Sequence, residues 1–157
     1  MRILAIDPGY DRLGIAVIEG DSSRPTLIWS DCVLPPKGAQ EMRLAHVFRA
    51  ISSAIEMYAP DALGIETLFF NISKTTGLGV AEARGAALAA AGIANLPVIE
   101  ATPQQVKLAV TGHGGADKMA VAKMVPRLVT LSEKKRLDDE LDAIAIGITA
   151  LAFAGRG

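Results

Sequence analysis

At 157 residues, half of them apolar, the chain is long enough for one domain with a sizeable core and too hydrophobic for disorder. A net charge of −1 argues only weakly against a nucleic-acid partner, because the distribution of charge matters more than its sum. A single cysteine, Cys32, excludes an internal disulfide and a cysteine-rich zinc site, and no apolar run nears the ~18 residues of a membrane span.

Aromatic residues are scarce, so Ala, Leu, Ile and Val carry the burial, which suits helices packed closely over a sheet. Residues 2–6 are an unbroken apolar run stopped by Asp7-Pro8-Gly9. Such a run is too short for a secretory signal and has the mark of a central strand buried on both faces. A cytosolic protein is expected. Residues 14–18 predict a second strand and residues 26–33 a third, stopped by Pro35-Pro36; short connections make the three an antiparallel meander. Cys32 reads as a small buried residue of that third strand.

The period then changes. Leu44, Val47, Phe48, Ile51 and Ile55 recur at helical spacing, with Pro60 ending the helix. Residues 61–66 predict a fourth strand closing on Glu66, followed by a polar loop with Phe69-Phe70 and an Ala-rich helix over 77–91. A short fifth strand covers 96–100, and helices follow near 103–110, 117–129 and 138–153. Three strands, then alternating helix and strand, then helices imply an α/β fold. We expect a mixed five-stranded sheet with helices on both faces, in ribonuclease H-like order. Residues 1–154 form one domain on this reading, with 155–157 a short C-terminal tail.

Charge is unevenly spread. From Ala101 to Leu137 there are seven bases against two acids, and the next charged residues, Asp138, Asp139, Glu140 and Asp142, are all acidic. Cations for a phosphate backbone beside carboxylates for a metal suit phosphodiester cleavage; a solvated helix face is the plainer alternative. Asp7 closes the first strand and Glu66 the fourth, at strand ends where α/β sheets gather ligands. Asp139 and Asp142, at i and i+3, share a helix face; so do Asp138 and Asp142, at i and i+4, and spacing leaves the choice open. Hard oxygen ligands of this kind suit Mg²⁺, and a pair of ions about 3.5–4 Å apart would relieve the repulsion among them while activating water and stabilising a leaving oxygen. Singly, each acid has an ordinary explanation: Asp7-Pro8-Gly9 as a turn, Asp138 or Asp139 as a helix cap, Glu66 as an exposed strand end.

Five blocks in order, Asp7-Pro8-Gly9 with Gly14, Ile65-Glu66, Gln105-Val106-Lys107, Gly115-Ala116-Asp117-Lys118 and Asp142-Ala143-Ile144-Ala145-Ile146, resemble the bacterial RuvC Holliday-junction resolvases, collinearly from about residue 1 to 153. The resemblance implies that Asp7, Glu66, Asp139 and Asp142 are catalytic, metal-binding acids. It favours Asp139 over Asp138, because the family carries an acid three residues before the Asp-Ala-hydrophobic-Ala motif. It also implies two Mg²⁺ ions per site with Mn²⁺ able to substitute, a homodimer nicking four-way junction DNA symmetrically in recombination and repair, and a branch-migration motor of the RuvA–RuvB type as partner. Lys107 and Lys118 match basic positions near DNA, and Phe69 matches an aromatic near the junction centre, with Phe70 competing for that role. Two stretches depart from the pattern. Glu82, in Ala81-Glu82-Ala83-Arg84-Gly85, adds negative charge to a helix, and Tyr10-Asp11 replaces small polar residues.

Other readings compete. A different ribonuclease H-like nuclease, acting on structured RNA or branched DNA, would share the first-strand acid. An inactive junction-binding module would have no use for crowded, mutually repelling carboxylates. A phosphate loop of the actin-like kinase type would need a second lobe for which the chain has no room. His113 in its glycine-rich loop and His46 on the first helix read as ordinary loop and surface residues.

Overall fold

The structure, a computed structural model, describes residues 1–68 and 77–155. Strands β1 (Arg2–Asp7), β2 (Leu13–Glu19) and β3 (Thr26–Val33) precede helix α1 (Gln40–Tyr58), strand β4 (Ala62–Glu66), helix α2 (Gly77–Ile93) and strand β5 (Val98–Ala101). Helices α3 (Pro103–Thr111), α4 (Lys118–Leu128) and α5 (Asp138–Ala154) complete the chain. The strands form one sheet in the order β3-β2-β1-β4-β5. β1 pairs antiparallel with β2 and parallel with β4, β2 pairs antiparallel with β3, and β4 pairs parallel with β5. The sheet is therefore mixed, as the strand sequence predicts, with β1 at its centre.

Ile3, Leu4, Ala5 and Ile6 of β1 are all fully buried because each face of the sheet is covered. Ile3 and Ala5 join Ala16 and Ile18 in a core with α3, α4 and α5. Leu4 and Ile6 point the other way, into a core with Ile15, Val17 and helices α1 and α2. Burying each of these large aliphatic side chains contributes about 1.5–3 kcal/mol of transfer free energy. α5 is buried almost continuously from Ala143 to Leu151. Gly147 permits this closeness, since a Cβ there would stand 2.5 Å from the Ile18 side chain.

Some boundaries differ from the sequence expectation. α1 begins at Gln40, well before its first apolar contact, and stops at Tyr58, with Ala59 in the left-handed conformation (φ 43°) ahead of Pro60. Proline disfavours helical backbone in the residue before it. β5 starts at Val98 rather than at 96; Pro97 accepts a hydrogen bond from Leu63 N–H but has no N–H to return. Among the described residues, no helix is long and apolar enough to cross a membrane.

Candidate active site

Parallel pairing of β1 with β4 sets Ile6 beside Ile65, so the next residues, Asp7 and Glu66, emerge together at the carboxyl ends of adjacent strands. Two further elements close over that edge. Gly14 of β2 lies opposite Asp7, and α5 starts directly above it: a Cβ on Gly14 would meet the Asp139 carbonyl oxygen at 1.9 Å. This contact delivers Asp139 and Asp142, one turn apart on α5, to the strand ends. From the other side, α3 is fastened by a reciprocal cap in which Thr102 and Gln105 each accept from the other's backbone N–H. It carries Lys107. α4 is capped by Asp117, whose carboxylate accepts from Ala120 N–H at 2.7 Å, and presents Lys118 at its first turn.

Asp7, Glu66, Lys107, Lys118 and Asp142 line one cleft of about 310 Å³, walled on its apolar side by Val106 and Val121 among others. Burial, reinforced by the charges of Asp142, Glu66 and Asp139, pushes the Asp7 carboxyl up to about 7. Burial and Asp142 likewise raise Glu66. Burial raises Asp142 against the opposing pull of Lys118, whose ammonium lies 2.6 Å from the Asp142 carboxylate and is itself raised by that bond. Asp139 does not line this cleft, although its charge reaches Asp7. The Arg12 Nε lies 3.1 Å from its Oδ2, yet this buried oxygen has no hydrogen-bond donor. The ion pair is thus a charge contact without hydrogen-bond geometry.

Among the described residues, no three carboxylate, histidine or cysteine groups are close enough to enclose a metal ion as they stand. The donor chemistry nevertheless fits a hard divalent cation. The site offers oxygen ligands only, a buried carboxylate oxygen without a hydrogen-bond donor, and a buried Asp7 whose carboxyl is raised by that burial and then by the neighbouring anions.

The profile of the family described as crossover junction endodeoxyribonuclease RuvC matches residues 3–150. The chain belongs to the RuvC family. It is 43% identical to the crossover junction endodeoxyribonuclease RuvC of Brevibacillus brevis, over 98% of this chain and 93% of that one. The RuvC of Moorella thermoacetica is 41% identical over the same shares. A Thermus thermophilus RuvC solved in complex with a Holliday junction substrate superposes with a TM-score of 0.92 at 32% identity, covering 100% of this chain and 96% of that one. The fold is ribonuclease H-like, as expected from the strand order.

In this RuvC-family chain, Asp7, Glu66 and Asp142 share the cleft with Lys107 and Lys118, and Asp139 acts on Asp7 through its charge. Asp138, the alternative at i, i+4 spacing, is exposed and lines a neighbouring pocket that shares Lys118 and Asp142 with this cleft. Phe69 and Phe70 lie outside the described residues. Spacing alone misled in one respect, because the acids at the start of α5 do not act as a single knot. Glu140 is 2% exposed and faces away from the cleft. It accepts a hydrogen bond from Ser30 Oγ at 2.6 Å and pairs with Lys134 at 2.9 Å and Arg136 at 3.2 Å. Two of the seven bases between 101 and 137 are thus occupied in holding α5 to β3.

Sequence reasoning also passed over Arg12 and Arg43. Arg43 is buried in α1, lies over the Tyr10 ring at 4.4 Å and donates to the Tyr10 carbonyl and to Asp11. The Tyr10-Asp11 departure is matched by a basic partner that holds the β1–β2 loop. Glu82 accepts from Gln40 of α1, so its charge is used between helices. His113 accepts from Gly115 N–H and shapes its own loop. Burial pushes the Cys32 thiol up to about 11, which keeps it an inert strand residue.

Proposed function

We infer that this chain is a Holliday-junction resolvase, an endonuclease that nicks four-way DNA junctions by hydrolysing phosphodiester bonds. The carrying observation is one cleft holding Asp7, Glu66 and Asp142 beside Lys107 and Lys118, in a chain whose relatives at 41–43% identity are crossover junction endodeoxyribonucleases. The same relatives favour junction DNA over structured RNA and an active enzyme over an inactive binding module. RuvC nucleases are metal-dependent. The finer proposal is that Asp7, Glu66, Asp139 and Asp142 would hold two Mg²⁺ ions, replaceable by Mn²⁺. When bound, these would activate water and neutralise charge on the leaving oxygen.

The chain's own residues supply the rest. Lys107 and Lys118 bring positive charge to the rim, where a phosphate would be held against the acids. Val106 and Val121 keep the cleft wall apolar, which lowers the local dielectric and strengthens each charge contact. Water's oxygen would form the new P–O bond while the bond to the 3′ oxygen breaks, leaving a 5′-phosphate and a 3′-hydroxyl that takes up a proton. Phe69 is proposed to meet bases near the junction centre. One nuclease domain over 1–154, a homodimer making paired nicks, a RuvA–RuvB type motor as partner and a cytoplasmic location complete the proposal.

A synthetic four-way junction tests it. Wild type should nick the junction only with Mg²⁺ or Mn²⁺ and leave linear duplex and structured RNA intact. Asp7→Asn should cleave at least about a hundredfold more slowly. Near-normal cleavage by that variant would refute the site.

A further inference from the structure

Arg12 sits in the short loop between β1 and β2, and its side chain is half exposed. The loop is tight, since a Cβ on Gly9 would stand 2.1 Å from the Arg12 carbonyl oxygen; the backbone that launches the side chain is therefore well defined. At its other end the guanidinium reaches the one carboxylate oxygen of the site that is buried and lacks a hydrogen-bond donor, Asp139 Oδ2. Arg43 offers a contrast within the same molecule. It is buried, stacked on Tyr10 and doubly hydrogen-bonded, so it is built into the fold. Arg12 is held by charge alone and has an open path to solvent.

We propose that Arg12 is a resident counter-cation of Asp139, occupying that acid in the free protein and competing with the divalent cation for it. The proposal rests on the metal-dependent reading of the site above. A guanidinium stays protonated across the working pH range, so it cannot yield by losing its proton and must swing away when a metal ion takes the oxygen. Lys118 likewise pairs with Asp142 at 2.6 Å, there through a hydrogen bond. Arg12 would therefore raise the concentration of metal needed to fill the site.

The test is direct Mn²⁺ binding to the DNA-free protein, followed by electron paramagnetic resonance of the unbound ion, for wild type, Arg12→Gln and Arg12→Lys. Arg12→Gln should bind Mn²⁺ about two- to fivefold more tightly, the scale of one partly exposed ion pair. Arg12→Lys keeps the charge and should stay near wild type. Far-UV circular dichroism checks that both variants keep the fold, as removal of a half-exposed, single-contact side chain should allow. Equal or weaker Mn²⁺ binding by folded Arg12→Gln would overturn the proposal, and so would tightening by Arg12→Lys as large as by Arg12→Gln. Wild type that takes up no Mn²⁺ even at millimolar concentration would instead bring down the metal reading, and this proposal with it.

Discussion

Gly14 is where the start of the last helix meets the sheet: a Cβ there would lie 1.9 Å from the backbone carbonyl oxygen of Asp139. The obstacle is backbone, so no rotamer change relieves it, and α5 would have to lift away from β2. Gly14→Ala should destabilise the fold by about 1–3 kcal/mol, the scale of overpacking. It should also slow junction cleavage about a hundredfold by shifting Asp139 and Asp142 from their positions. Cleavage assays and denaturant melts on the same sample would show both effects. An unimpaired variant would mean that α5 is not seated by this contact.

Asp7 should make the metal-free protein less stable as pH rises. Its folded carboxyl titrates near 7 against an ordinary 3.8, so between those values the folded state binds more protons than the unfolded one. Stability from this group is present below about pH 4 and declines as pH climbs through about 7. In chelator at pH 8, Asp7→Asn should therefore be more stable than wild type by about 1–3 kcal/mol, or about 2–8 °C in Tm. The gain should vanish toward pH 4. A thermal melt series in EDTA would detect it, and an Asp7→Asn variant less stable than wild type at pH 8 would contradict the crowded-carboxylate picture.

Glu140 should matter for stability and not for chemistry at the scissile bond. Truncation to Ala strands Arg136 and Ser30 in a buried setting and frees Lys134, at a cost of about 3 kcal/mol. Glu140→Gln keeps an acceptor for the Ser30 hydroxyl and should lose less. Urea denaturation of the two variants ranks them, and Glu140→Ala as stable as wild type would mean that the network does not anchor α5.

Lys107 and Lys118 should separate in DNA binding. Lys118 is already neutralised by Asp142 in the free protein, whereas Lys107 makes no ion pair among the described residues. Lys107→Met should reduce the slope of log affinity against log salt by about 0.7–0.9, one phosphate contact. Lys118→Met should change that slope less. Junction binding measured across KCl concentrations distinguishes them, and an unchanged slope for Lys107→Met would remove that residue from the interface.

Much of this architecture is legible along the chain because it is local. The run Ile3-Leu4-Ala5-Ile6 must be a two-faced strand, since four consecutive aliphatics cannot be half solvated. The acids that stop it and the run before Glu66 mark strand ends by position alone. The helices of the second half follow from their spacing, and the family blocks fall in order along the same frame. Most boundaries shift by a residue or two, as at the ends of β2, α2 and α4, and β5 starts at Val98 because Pro97 has no N–H for the ladder.

What spacing left open is the rotation of a helix about its axis. Asp138 and Asp139 both fit a shared face with Asp142, and Glu140 looked like one more acid of the group. Side chains one residue apart on a helix point about 100° apart, and nothing within α5 says which of them meets the strand ends. Contacts remote in sequence decide that: Gly14 admits the start of α5, Gly147 seats its middle against Ile18, and Ser30, Lys134 and Arg136 draw Glu140 to the opposite side. Residue types and their order along the chain therefore chose the family and the kind of chemistry. Packing in three dimensions chose which carboxylates face the cleft and which bases already have partners, because a side chain's direction depends on neighbours that only folding supplies.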